Sequence, residues 1–175
     1  MATKSNKVKV ITGKVRFSFP NVFVPVASEE GGDPKYSVAL IISKDDKDTI
    51  AKINKAVEEC KTSNSAFFGG SVPKVLKGGL RDGDEEKDTS RYPEFANSYF
   101  INANSFQKPG VVDAALEPII NKDDFYSGCY GRASLTFYPY DGKSKGIACG
   151  LGNLQKLEDG EKLGGGASAA ADFAV

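Results

Sequence analysis

A chain of 175 residues with 40% hydrophobic content is long enough to bury one ordinary core, and its 23 Lys and Arg balance 23 Asp and Glu. With a pI near 6.3 there is no global positive field to draw in a polyanion, so any basic surface must be local. The absence of histidine removes His-dependent triads and most catalytic zinc sites, and no apolar run approaches the roughly 20 residues of a membrane span.

No basic-then-apolar leader is visible at the N-terminus, which points to a soluble, cytoplasmic chain. Cys60, Cys129 and Cys149 form no CxxC pair and are odd in number, so they are read as reduced core or half-buried residues.

From Lys7 to Phe19 β-branched and aromatic residues alternate with polar ones, which predicts a long strand with Ile11, Val15, Phe17 and Phe19 facing inward. Lys14, Arg16 and Ser18 then share the opposite face. Val8 and Val10 have the other parity, so a bulge or bend is expected near Thr12-Gly13. Lys4, Lys7, Lys9, Lys14 and Arg16 all precede the first acidic residue, Glu29, which makes this opening region purely cationic.

Pro20, Pro25 and the segment Glu29 to Pro34 carry turn chemistry, and Tyr36, Val38, Leu40 and Ile42 alternate as a second strand with Lys35 at its mouth. Asp45 or Asp46 caps a helix with Ile50, Ile53, Val57 and Cys60 at helical spacing, ending between Lys61 and Asn64. Ala66 to Gly83 reads as loop with a short strand near Val72 to Leu76, and irregularity continues through Asp88 and Pro93.

Tyr99 to Phe106 is a strand with Tyr99, Ile101 and Ala103 on one face and Phe100, Asn102, Asn104 and Phe106 on the other. Lys108-Pro109-Gly110 turns into Val111 and Val112. In Cys129 to Tyr138, Cys129, Gly131, Ala133, Leu135 and Phe137 alternate with Tyr130, Arg132, Ser134, Thr136 and Tyr138. Asp141-Gly142 signals a hairpin into a last strand, Gly146 to Leu151.

The fold class expected is mainly β, a small closed or partly closed barrel with one main helix, of which the OB-fold is the commonest nucleic-acid version. Residues 1–163 form the domain. Residues 164–175, rich in Gly, Ala and Ser, form a flexible C-terminal tail.

The polar faces of the strands collect Lys14, Arg16, Phe100, Asn102, Asn104, Phe106, Tyr130, Arg132 and Tyr138, with Lys35 nearby. Rings interleaved with cations suit single-stranded nucleic acid, because any base stacks on a ring and phosphates need only nearby positive charge. Two competing readings stand beside this: Phe100 and Phe106 as barrel core with Tyr130 and Tyr138 as rim residues, and Arg16 and Arg132 as partners in surface ion pairs.

The run from Asp82 to Asp88 has its glycine misplaced for a calcium loop and no bidentate Glu at the twelfth position, so it reads as a solvated turn. No carboxylate spacing supports a two-metal nuclease centre, and Gly31-Gly32-Asp33-Pro34-Lys35 lacks Walker spacing. No cofactor, metal or catalytic residue is assigned.

The strings GKVRFSFPNVF from Gly13, PKYSVALII from Pro34, LRDGD from Leu80, YFINANS from Tyr99, PGVVD from Pro109, FYSGCYGR from Phe125 and KGIACGLGNLQKL from Lys145 occur in this order. In this the chain resembles a tailed-phage and prophage family whose studied members are OB-fold single-stranded DNA-binding proteins, and the resemblance runs from about Gly13 to Leu163. It implies a five-stranded Greek-key barrel with extra loops and hairpins, sequence-independent DNA binding, and a role in phage replication, recombination or repair in the bacterial host cell, without a catalytic centre. The alternatives are a virion or assembly protein on the same barrel and a metal-dependent nuclease.

Two departures stand out: Phe67-Phe68-Gly69-Gly70 where relatives often carry tryptophan, and a less acidic tail. Asp172-Phe173 is like the tails that recruit replication or recombination proteins, though a passive solubilising tail is the plainer reading. A homodimer is compatible with the sequence.

Overall fold

The computed structural model describes residues 6–27, 32–74, 76–141 and 144–163. The proposed tail at residues 164–175 lies outside the described residues, as do Gly142 and, of the turn between Glu29 and Pro34, residues 29–31.

The expected bend near Thr12-Gly13 divides the first strand into β1 (Val8–Ile11) and β2 (Val15–Val26). β3 (Lys35–Ser43) follows, then helix α1 (Lys47–Ser63). An insertion holds β4 (Arg81–Asp82), the one-turn helix α2 (Gly83–Glu86) and a 3-10 turn, Pro93–Phe95. β5 (Ser98–Ser105), β6 (Val111–Val112), β7 (Tyr130–Asp141) and β8 (Lys145–Glu158) complete the chain.

β2 pairs with β3, β3 with β5, β5 with β8, β8 with β7 and β7 with β2, so these strands close into a ring. Numbered along the chain, the ring reads first, second, third, fifth, fourth and back to first, with the β5–β8 contact parallel and the rest antiparallel. That is the five-stranded OB arrangement. β1 continues along β7 beyond β2, with Val10 opposite Leu135.

The core is built by strict alternation where the sequence alternates. Gly131, Ala133, Leu135, Phe137 and Pro139 of β7 are buried while the residues between them are half-buried or exposed. Phe17 packs on Phe125 with ring centroids 5.1 Å apart. Gly131 is obligatory, because a Cβ there would collide with the Gln155 carbonyl and the Phe17 ring.

α1 closes the barrel with Ile53, Ala56, Val57 and Cys60. Its cap is Asp46, which accepts from the Thr49 N–H at 3.2 Å. Thr49 Oγ1 in turn accepts from the Gly13 N–H at 3.2 Å, tying the strand bend to the helix start. At the other end Asn64 donates to the Cys60 carbonyl at 2.6 Å and to the Asn6 carbonyl at 2.9 Å.

Several expectations need correction. Ile11 and Phe19 are exposed rather than inward, because the break at Thr12–Lys14 restores the Val8/Val10 parity in β1 and an irregularity after Ser18 turns Phe19 out. Pro20 and Pro25 do not end the strand: they fall where β2 skips rungs between Ser18, Asn21 and Val26, positions at which no N–H is needed. Val72 to Leu76 forms no strand among the described residues, and only Lys77 makes an isolated bridge, to Gly146. β8 runs to Glu158, well past Leu151.

Candidate nucleic-acid interface

Pairing across the ring sets side chains of the outer surface into rows. Tyr130, Arg16, Ile41, Phe100 and Arg81 form one row from β7 through β2, β3 and β5 to β4. Ser18, Ala39 and Asn102 form the next, and Asn21, Ser37 and Asn104 the third. Arg16, Phe100, Asn102 and Asn104 therefore do share one face, as their spacing predicts.

The first row is closed. The Arg16 guanidinium lies 5.2 Å from the Tyr130 ring centroid and donates to the Gly128 carbonyl at 3.1 Å and the Glu161 carbonyl at 2.7 Å. Lys14 sits 5.9 Å from the same ring and is ion-paired to Glu158 at 2.7 Å. That carboxylate holds the Lys14 ammonium above its ordinary pKa. Gly128, at φ 116°, is where the Glu161–Leu163 backbone passes too close for any Cβ.

Phe100 is 1% exposed, which corrects its reading as a stacking platform. Its face is right, but residues of the insertion cover it. Phe95 meets it edge-on at 5.4 Å, and Ile41, Tyr92 and Leu163 complete a small second cluster. Arg81 and Lys87 lie 4.9 and 5.0 Å from the Phe100 ring, and Arg81 is paired to Glu86 at 2.7 Å.

The acidic run is spent on fastening this cover. Lys44 binds Asp82 at 2.9 Å and Asp84 at 2.8 Å, Asp82 caps α2 through the Asp84 N–H, and Asp84 accepts from the Asn97 N–H at 3.0 Å. Those hydrogen bonds hold the Asp84 carboxyl below its ordinary range, the Lys44 bond first, and raise the Lys44 pKa. Among the described residues no group of three or more Cys, Asp or Glu is arranged to hold a metal ion. Burial raises the Cys60 and Cys129 thiols and pushes Cys149 up to about 12, so none is a ready nucleophile at neutral pH.

The third row is open. A cleft of about 570 Å³ is lined by Asn21, Lys35, Ser37, Asn104 and Phe106, among others. Phe106 is 64% exposed, and the Lys35 ammonium lies 4.9 Å from its ring centroid. Lys35 has no carboxylate partner among the described residues, and neither do the side-chain amides of Asn102 and Asn104 have hydrogen-bond partners there. Asn21 donates to Ser37 Oγ at 3.3 Å.

Arg132 and Tyr138 are not in this patch. They continue the outward face of β7, but there its neighbours are β1 and β8, with Gln155 opposite Arg132 and Ala148 opposite Tyr138. From Tyr130 to Tyr138 a strand travels roughly 26 Å, enough to pass onto the adjacent side of the barrel. Arg132 is held by Gln155 Oε1 at 2.6 Å. Asn21, Ser37 and Ala39 of the face were missed in the sequence: β2 seemed to end at Pro20, and the small residues of β3 carry no chemical signal.

A family model described as Enterobacter phage Enc34, ssDNA-binding protein, matches residues 8–175. Protein p50 of Acyrthosiphon pisum secondary endosymbiont phage 1 is 29% identical over 174 residues, covering 95% of this chain and 92% of that protein. Among solved structures, the single-stranded DNA-binding protein from bacteriophage Enc34 in complex with ssDNA is similar with a TM-score of 0.73 at 26% identity, over 89% of each chain. The bacteriophage T7 single-stranded DNA-binding protein gp2.5 shares the fold, with a TM-score of 0.59 at 14% identity over 97% of this chain and 96% of that one.

Proposed function

The chain belongs to the Enterobacter phage Enc34 single-stranded DNA-binding protein family, and on that footing we propose that it binds single-stranded DNA without sequence preference along the outer face of β2, β3 and β5. The observation that carries the reading is the relative that holds ssDNA, similar in fold over 89% of both chains. The open cleft supports it, since it joins an exposed ring, a cation with no ion-pair partner among the described residues and the free amide of Asn104 in one groove, with Asp33 also on its lining.

Phe106 stacks on a base, Lys35 meets phosphate, and Asn102 and Asn104 hydrogen-bond to base edges or sugar. Stacking serves every base and phosphate carries no code, so the strand is held without being read. Arg16 and Tyr130, two rows from the cleft, add a cation and a ring at the closed end of the face. Arg132 and Tyr138 engage only a strand long enough to wrap onto the next side of the barrel.

The protein's role in this reading is to protect or organise single strands during phage replication, recombination or repair in the host cytoplasm, as a binding module rather than an enzyme. Replication or recombination proteins are its partners through the tail, and self-association is read by sedimentation. No helix among the described residues is long and apolar enough to cross a membrane.

Titration of poly(dT) against duplex DNA tests the reading. Preference for the single strand is expected, with affinity falling with salt at a slope of about −0.7 per neutralised phosphate. Equal affinity for the two, or none, overturns it, and strand cleavage on incubation with Mg²⁺ or Mn²⁺ overturns the non-enzymatic part.

A further inference from the structure

Phe19 pays twice for its position, and the fold does not repay it. Its alternation with Val15 and Phe17 would place it in the core, yet it is 54% exposed. Its φ is 49°, in the left-handed region that a residue with a bulky side chain rarely enters. Exposing a phenyl ring forfeits burial, and the left-handed backbone adds strain at the same residue.

The conformation is held from both sides. The Phe19 N–H donates to Ser127 Oγ at 3.1 Å, and Pro20 fixes the next φ. β2 loses its rungs to β3 between Ser18 and Asn21, so the irregularity that turns Phe19 outward lies between the second and third rows of the face. Those rows run from β2 through Ala39 and Ser37 of β3 to Asn102 and Asn104 of β5. Phe106 follows Asn104 on the β5 side. Phe19 thus emerges on the β2 side of the face just before the Asn21–Ser37–Asn104 row, and Phe106 lies just past that row on the β5 side, where it lines the cleft.

We infer that Phe19 is a second stacking platform for a DNA base, held out by a strained bulge on the β2 side of the face that carries Phe106 on its β5 side. The inference rests on the single-strand-binding reading above and adds a residue and a geometry to it. An exposed ring before and after the Asn21–Ser37–Asn104 row gives a strand crossing that row two points of stacking and a polar floor between them.

The absence of tryptophan from the chain makes the test direct. Phe19→Trp introduces a lone reporter, whose emission is expected to be quenched on titration with poly(dT), whereas Ile120→Trp, on the exposed loop after β6, is expected to stay unchanged. Phe19→Gly accepts the left-handed backbone without strain, so its melting temperature should hold or rise while affinity for poly(dT) falls roughly 5- to 150-fold, the loss of one stacked base. Phe19→Tyr should retain parental affinity.

Parental affinity in Phe19→Gly, or emission of Phe19→Trp no more sensitive to poly(dT) than that of Ile120→Trp, overturns the inference while the parent still binds. A parent that binds no poly(dT) overturns both this and the reading beneath it.

Discussion

At one end of the outer face Phe100 lies 1% exposed beneath Phe95 and Leu163, with Arg81 on its ring and Glu86 on Arg81. At the other, Phe106 stands 64% exposed with Lys35 beside it and no acid among the described residues on that lysine. The residue types are the same, a phenylalanine and a cation. Their use differs because the first end is roofed by the insertion between α1 and β5, whereas the second faces a cleft. A ring beside a cation is thus free to meet a ligand only where neither has been claimed by the fold.

The largest expected effect breaks this contrast at its buried end. Phe100→Ala should lower stability by about 3–5 kcal/mol, read by denaturant unfolding, as a large buried ring is lost. Phe106→Ala should leave unfolding unchanged and cost about 1–3 kcal/mol in poly(dT) binding. If Phe100→Ala lost DNA affinity at unchanged stability, the roofed end would be a binding site after all.

Charge separates the ends next. Lys35→Gln should reduce the salt slope of binding by about 0.7, one phosphate contact, while Lys14→Gln, whose charge is already matched by Glu158, should change it less. Equal changes would erase the distinction between free and committed cations. A smaller effect is expected for Arg132→Ala, which should weaken binding of long oligo(dT) and leave short oligomers untouched, since Arg132 lies on the adjacent side of the barrel.

The smallest effect is one of pH. Asp84 is held below its ordinary pKa, so its contribution is complete above the unfolded value and is lost as pH falls through the folded one. Amide protection in residues 83–97, relative to the unfolded-chain exchange rate at each pH, should therefore fall in acid below the usual aspartate range, and Asp84→Asn should remove that dependence. The pair is exposed, which keeps the effect small.

The barrel was readable because its signals are local. β7 alternates without error, Asp46 caps α1, and the Thr12-Gly13 bend shows as a change of parity. The roof over Phe100 was not, since Lys87 belongs to a run that reads as a solvated turn and Phe95 follows an irregular stretch, and nothing in their spacing says that they fold back on β5. The parity of Phe100, Asn102 and Asn104 was right, but parity tells which side a residue faces and not whether something covers that side. Phe19 was misplaced for a related reason: a skipped rung has no signature beyond the proline that follows it.

Between β5 and β8 the ring is joined at one backbone-paired position, Asn104 with Gly150, and that contact is parallel. The hoop is therefore least riveted at the joint next to the cleft, on a residue whose side chain faces the groove. A ligand gripping Asn104 would press on the seam that most easily parts, and so would tighten the whole barrel from its weakest stitch. Slowed exchange of amides flanking Gly150 on loading with oligo(dT), at positions the strand need not touch, would record that cinching.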